Sequence, residues 1–473
     1  MLVTLIESVY NFLWGDLLTL PLGGVTLNLS LMVILLFTAG IYFTLRTRLL
    51  PMRLFRDMLD AVCEKKQGKQ GGLSSLQTLV VSTATRVGMG NLVGVVAAVS
   101  VGGAGAVFWM WVVALVGGAS AFIESALAQV YKKRDADGSS YGGPSYYMEQ
   151  ALHQRWLGVV FAVVLILTYV VGFNMLAAYN LQDAFGGFSF YVKGRTPYII
   201  GAILAVLFAL CVLGGGKRLT NVTGVLVPVM GLLYIVMSLV VVFMNIRIFP
   251  NVIANIFRDA FNFKAAFSGF TGSCIMWGIK RGLYSNEAGM GSTPHAHALA
   301  NVKNPHEQGT VAIIGVFIDM FVILTLNALV IISTLYAGDG PLAGCGAAAL
   351  SSTFNKTNLA QCAFGTVFGY KAGSMFVAIC LFFFAFSTIL SWNLFGKINM
   401  VYLFGKKSAN VYTLLALIFI FLGTTMSNDL VWELSDMLNQ LMVIPNAIAL
   451  LALTSHVVKH SHTPDRLSGR ENG

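Results

Sequence analysis

Charge is scarce in this chain: of 473 residues only 11% are Asp, Glu, Lys or Arg, against 56% hydrophobic residues and a mean hydropathy of +0.76. A soluble domain carries about 25% charged residues, so the composition excludes an ordinary globular protein in water and demands lipid around much of the surface. Polar linkers and low-complexity tracts are lacking as well. The longest connections, 44–73, 131–156 and 337–372, are short for an independent fold, which leaves a single membrane domain over 1–473. The connections hold no nucleophile elbow and no paired acidic motif, and the seven histidines show no metal-ligand spacing, so nothing points to an enzyme or a bound metal cofactor. His295 and His297 read as solvated in a cytoplasmic connection, and His456, His460 and His462 as solvated in the tail. The opening MLVTLIESVYNFLWG lacks the basic region and small-residue cleavage site of a signal peptide, and is expected to stay as a short amphipathic lead-in at the membrane surface.

Long apolar runs, by contrast, are plentiful. Crossing the hydrocarbon takes about 20 apolar residues, and such runs lie near 27–45, 74–101, 107–130, 157–184, 197–214, 222–243, 266–287, 310–335, 373–395, 410–427 and 431–455. The expectation is an all-α membrane protein of about eleven spans, with 456–473 as a tail. The net charge of +10 does not indicate nucleic acid, because the Lys and Arg residues sit between spans instead of forming a basic patch on a soluble fold. Most of the 30 basic residues fall in alternate connections, including Arg46, Arg48, Arg53, Arg56, Lys132, Lys133, Arg134, Lys217, Arg218, Lys397, Lys406 and Lys407. That bias predicts an inner (plasma) membrane protein with its amino terminus outside and its carboxyl terminus in the cytoplasm. Cys345 and Cys362 then share the long external connection, where an oxidising compartment permits a disulfide.

Glycine is the informative irregularity. Two clusters, RVGMGNLVG and SGFTGSCIMWG, interrupt otherwise apolar segments. With 27–45 set aside as an extra span, the interruptions fall in the first and sixth of ten core spans, so 74–243 and 266–455 read as two five-span repeats of opposite orientation. Broken helices in corresponding positions of two inverted repeats are a pointer to a transport site. Unwound backbone at mid-membrane needs protein, water or ligand to satisfy it. Helix amino-terminal ends suit a carboxylate, and freed carbonyls suit a hard cation such as sodium. Gly88, Met89, Gly90 and Asn91, flanked by Val87 and Gly94, mark the first break; close helix packing on small residues is the plainer use of such glycines. Gly269, Phe270, Thr271, Gly272 and Ser273 mark the second, with hydroxyls for orientation and an aromatic wall.

In the eighth core span, Ser387 and Thr388 are adjacent hydroxyls suited to sodium, and Thr388 shares a face with Trp392. The plainer reading is that the hydroxyls bond back to their own helix and the indole packs at the membrane interface. Ionisable residues within spans are costly and tend to be functional. Arg86, Glu124 and Asp319 read as a buried pair or a proton relay, whereas Lys280, Arg281 and Glu287 are expected near the cytoplasmic end, within reach of water.

The runs RVGMGNLVGV, GGAGAVFWMWVVALVGGASAFIESALAQVYKKRD, GGPSYYM and RGLYSNEAGMGSTPHAHALA resemble the alanine or glycine:cation symporter family over nearly the whole chain. The resemblance implies a leucine-transporter-like fold with a five-plus-five inverted repeat and one extra amino-terminal span. It implies import of a small neutral amino acid, alanine, glycine or serine, coupled to sodium or occasionally to protons. On that basis Gly88, Met89, Gly90 and Asn91 with Phe270, Thr271, Gly272 and Ser273 hold the substrate's carboxylate and amine, and Thr388 and Trp392 add contacts. Sodium would lie among Ala84, Val87, Ser387 and Thr388. Two positions depart from the family: Met89 stands where Thr or Ser is usual, and Ala177 where a Gln is usual. Both losses remove polar contacts, with Tyr179, Asn180 and Gln182 as nearby replacements, and they leave room for a larger, glutamine-like substrate. A channel is the rival of a different class; it would need a continuous pore lined by carbonyls or charged rings.

Overall fold

The computed structural model describes residues 8–9, 12–13, 15, 17–22, 25–54, 58–63, 72–135, 138–213, 215–262, 274–338, 340–342 and 356–461. Helix dominates them. The exceptions are two short antiparallel pairs, β1 (Leu18–Leu22) with β2 (Val25–Leu29), and β3 (Lys133–Arg134) with β4 (Ser140–Tyr141). This is what lipid imposes, since a helix satisfies its own backbone where no water can.

Among the described residues, seven helices are long and apolar enough to cross a membrane, or eight when a pair bent by 46° counts as one span. Two shorter apolar helices, Val33–Arg46 and Thr196–Val212, coincide with two further runs of the sequence. The last run, 266–287, is described only over Cys274–Asn286.

The elements that build the interior are, in chain order, α1 (Leu31–Arg46), α2 (Ser75–Arg86), α3 (Val95–Gly102), α4 (Gly105–Val130), α5 (Arg155–Leu167), α6 (Asn174–Asp183), α7 (Thr196–Val212), α8 (Gly215–Met244), α9 (Phe249–Ala260), α10 (Cys274–Asn286), α11 (Pro305–Phe317), α12 (Thr325–Ile331), α13 (Lys356–Phe368), α14 (Tyr370–Phe404), α15 (Ala409–Gly423) and α16 (Asn428–Ser461). The central helix is α4, which packs against α1, α10 and α11. It approaches α10 closely because small residues face each other: a Cβ built at Gly278 would lie 2.5 Å from the Ala106 carbonyl oxygen. The outer faces of α7 and α8 expose Ile203, Val206, Leu210, Val225, Val229 and Leu232, as a lipid-facing surface should. Polar side chains turn the other way: Arg86, Asn91, Glu124 and Asp319 are all buried.

α2 starts at a capping box in which Ser74 and Gln77 satisfy each other's backbone N–H groups. It stops at Arg86, and the chain resumes as a π-helical turn, Gly90–Gly94, before α3. π turns recur at functional sites, and α5 and α6 are likewise joined by one at Thr168–Phe173.

A second interruption follows α10, at a different place from the break expected at Gly269–Ser273, which lies outside the described residues. Glu287, Gly289 and Gly291 take φ values of +52°, +79° and +82°, and helix resumes only at Pro294–Ala298. Left-handed backbone is routine for glycine but uncommon for Glu, so Glu287 is held there by its surroundings.

Burial corrects two expectations. Arg281 and Glu287 do not reach water; their residues are 5% and 3% exposed. His295 and His297 are fully buried rather than solvated, the first contacting Asn399 and the Ser292 carbonyl, the second Gln308. For Glu287 and the two histidines the cause is shared: after Asn286 the chain does not leave the protein but crosses its interior, whereas Arg281, earlier on α10, pairs with Asp436 at 3.7 Å. Cys362 is a half-buried thiol on α13, and its expected partner Cys345 lies outside the described residues.

Candidate functional site

The two interruptions meet. A narrow interior cavity is lined from the first break by Gly88, Met89 and Gly90, and from the end of α10 by Tyr284, Ser285 and Glu287. Thr85 and Arg86 at the end of α2, with Phe173, Thr388 and Trp392, complete its wall. The backbone comes close because side chains are missing: a Cβ at Gly88 would stand 2.9 Å from Thr388 Oγ1, and one at Gly90 3.5 Å from the Tyr284 ring.

Of the expected substrate residues, Gly88, Met89, Gly90, Thr388 and Trp392 line this cavity together. Asn91 lies just behind it, donating to Asp319 Oδ1 at 2.7 Å and accepting from Ser285 Oγ. Its own backbone carbonyl is capped by the Asn327 amide, which also donates to Leu92 O at 3.2 Å. Ala177 is buried on α6 outside the cavity wall. One helical turn away, Asn180 donates to the Met89 thioether at 3.4 Å and to Leu176 O at 2.8 Å. The two unusual residues thus share a neighbour. Phe270, Thr271, Gly272 and Ser273 lie outside the described residues.

Of the expected sodium residues, Thr388 and Ala84 are in contact, with Oγ1 donating to the Ala84 carbonyl at 2.8 Å. Val87 closes the same helix end, its N–H donating to Thr83 O at 2.7 Å. Ser387 is turned differently: it bonds back to Phe384 O at 3.0 Å, with Met230 Sδ at 4.0 Å.

The contacts that sequence did not anticipate gather at the second interruption. Glu287 Oε2 accepts from Thr85 Oγ1 and Ser292 Oγ, both at 2.8 Å, while Oε1 faces the Trp392 indole N–H at 3.5 Å. Tyr169 donates to Ser292 at 2.7 Å. Glu124 accepts from the N–H groups of Gly289 and Gly291 at 3.2 and 3.1 Å and from Asn446 at 3.2 Å. Arg86 donates to Asn286 O and Thr293 Oγ1, both at 2.9 Å. Neither a Glu124–Arg86 ion pair nor an Asp319–Arg86 pair forms among the described residues; each charge holds a strand of unwound backbone or a polar partner instead. The signal was the run SNEAGMGST itself, whose two glycines in three positions and acidic residue mimic the first break.

Two opposed helix interruptions around an occluded, polar-lined cavity in an all-helical membrane bundle form a carrier architecture. Residues 18–466 match the sodium:alanine symporter family. The chain belongs to that family. Among the symporters it resembles, the amino-acid carrier protein AlsT of Bacillus subtilis is 38% identical over 92% of this chain and 90% of its own length. The sodium/alanine symporter AgcS of Methanococcus maripaludis is 35% identical over 97% and 96%. The fold matches that of MhsT, solved in complex with L-phenylalanine, with a TM-score of 0.60 at 13% identity, covering 82% of this chain and 90% of that one. The family's members are amino-acid transporters, not enzymes, and this chain is a multi-pass membrane protein of the same kind.

Proposed function

We propose that the protein imports a small neutral amino acid, alanine or glycine, together with sodium, by alternating access. The observation that carries this reading is the meeting of the two interruptions at one cavity, where unwound backbone and the hydroxyls of Thr85, Ser285 and Thr388 converge. Sodium enters between the end of α2 and the Thr388 hydroxyl, where the Ala84 carbonyl supplies an oxygen of the kind a hard cation takes. Ser387 joins by a rotamer change that releases Phe384 O. The substrate occupies the cavity beside Gly88, Met89, Gly90, Thr388 and Trp392, with Asn91 behind, and Phe270 to Ser273 complete it. The amino terminus lies outside and the carboxyl terminus in the cytoplasm, with 74–243 and 266–455 as inverted halves that rock about the site.

Sodium bound at the end of α2 fixes the backbone that the amino acid then meets, so each ligand tightens the other by the same factor. Purified protein in liposomes under an inward sodium gradient is expected to accumulate labelled alanine; potassium and pH gradients should not replace sodium. Failure of every amino acid under every gradient, from folded protein, would overturn the reading.

A glutamine-like substrate is the second reading. It is favoured by Met89 and Ala177, and a probable sodium/glutamine symporter, GlnT of Bacillus subtilis, is 36% identical over 90% of this chain. The double substitution Met89→Thr with Ala177→Gln adds polar partners on two sides of the site. It should raise alanine affinity by about tenfold, the worth of one net hydrogen bond at the upper end of its range. Competition by glutamine in wild type and its loss in the double variant would establish the second reading over the first.

A further inference from the structure

Glu287 is the one carboxylate on the cavity wall. Its Oε2 is fully occupied by Thr85 and Ser292, but Oε1 has only the long 3.5 Å contact from Trp392. No ion pair reaches it among the described residues; Arg86 lines the same cavity but gives its Nε and Nη2 to Asn286 and Thr293 and lays Nη1 against Gly315. A buried carboxylate with a free oxygen is costly unless something positive arrives. The backbone conformation adds to that cost: φ of +52° is strained for Glu, and strain kept at a cavity wall argues for use.

Aromatic rings surround the same space. Phe173 and Trp392 have centroids 4.6 Å apart, Tyr169 stacks on Trp392 at 5.9 Å, and Tyr284 meets Phe173 edge-on at 5.8 Å. Ring faces attract ammonium groups and exclude water from an ion pair. A carboxylate oxygen at the mouth of an aromatic box is the chemistry that recognises a primary ammonium group.

We propose that Glu287 Oε1 receives the α-ammonium of the transported amino acid. The assignment rests on the amino-acid reading of the cavity. It makes the positive amine, more than the side chain, the feature that admits a substrate, and it turns the substrate so that its carboxylate faces the glycine break at the start of the π turn. Sodium and amine then take separate groups of one site, sodium at Ala84 and Thr388, amine at Glu287.

The test compares L-alanine with L-lactate, which replaces the ammonium by a hydroxyl, as sodium-dependent stabilising ligands of the purified protein. In wild type, alanine should bind at least about 30-fold more tightly than lactate, the low end for losing one partner of a buried charge pair. Glu287→Gln keeps an acceptor for Thr85 and Ser292 while removing the charge; its alanine-to-lactate ratio should fall below about threefold. The stabilisation given by sodium alone should stay as in wild type. A Glu287→Gln ratio equal to wild type overturns the proposal, and so does loss of the sodium response with the ratio kept, which would make Glu287 a sodium ligand. Should the variant not fold, the wild-type structure with alanine decides: an amine nitrogen within about 3.2 Å of Oε1 supports the assignment, and one placed elsewhere refutes it. Wild type that binds and transports no amino acid refutes the symport reading itself, whereas alanine transport with an unchanged ratio in the variant refutes only the role of Glu287.

Discussion

The two interruptions look alike in sequence and are held in unlike ways. At the first, between α2 and the π turn, glycine lets Thr388 and Tyr284 come close, and the hydrogen bonds from other helices are made by uncharged donors to its carbonyls, Thr388 to Ala84 and Asn327 to Asn91 and Leu92, with the Asn91 side chain tied to Asp319 and Ser285. At the second, side chains from several helices bind the unwound strand. Glu124 of α4 takes two of its amides, Asn446 of α16 donates to the Gly289 carbonyl at 2.9 Å, and Arg86 of α2 holds the carbonyl of Asn286. One break is defined by what is missing, the other by what grips it. A carrier needs one part of its site to move relative to another, and the two breaks oppose such a move by different means, the first by close packing against glycine and the second by charged side chains on its backbone.

Substitutions can break that contrast. The largest effect is expected for Glu124→Leu, which strips acceptors from two buried amides and the Asn446 amide. Hydrogen bonds to a charged group are worth about 1.5–3 kcal/mol each, so the variant should lose uptake and melt well below wild type in a thermal scan. Gly90→Leu acts on the other break: its side chain fills the cavity beside Tyr284, so uptake should vanish while membrane insertion and melting remain close to wild type. A Gly90→Leu protein that transports normally would remove the first break from the site. Thr388→Val deletes the bond to Ala84 and should raise the sodium concentration for half-maximal uptake by about tenfold, with alanine affinity at saturating sodium less affected. Tyr147→Phe should do least. Its hydroxyl donates to Asn446, one step back from the gripped strand, and its loss should cost about 1 kcal/mol in an unfolding measurement, with uptake retained.

The first break was legible because glycines flanking Met89 in an apolar run have few structural uses, and the cavity forms there. Thr388 and Trp392 were legible by their shared helix face. The grip on the second break was not. Charge counting places Arg281 and Glu287 at a span end, where ionisable residues normally meet water, and nothing local says that the chain turns inward after Asn286. Glu124 and Arg86 were read as partners of each other because burial without pairing is expensive; a strand of unwound backbone, with its own unsatisfied amides and carbonyls, is an equally good partner that composition does not display. Ser387 bonds back to its own helix at Phe384, as the plainer reading expects, whereas its neighbour Thr388 reaches across to the Ala84 carbonyl of another helix.

Gly315 on α11 faces the Arg86 guanidinium so closely that a Cβ would overlap it. In a saturation library selected for growth on the transported nutrient, large replacements should therefore be depleted at this position although it touches neither ligand, while alanine, which asks only that the guanidinium tip shift, should survive better. That gradient with side-chain size would mark the arginine's seat without any structure being consulted.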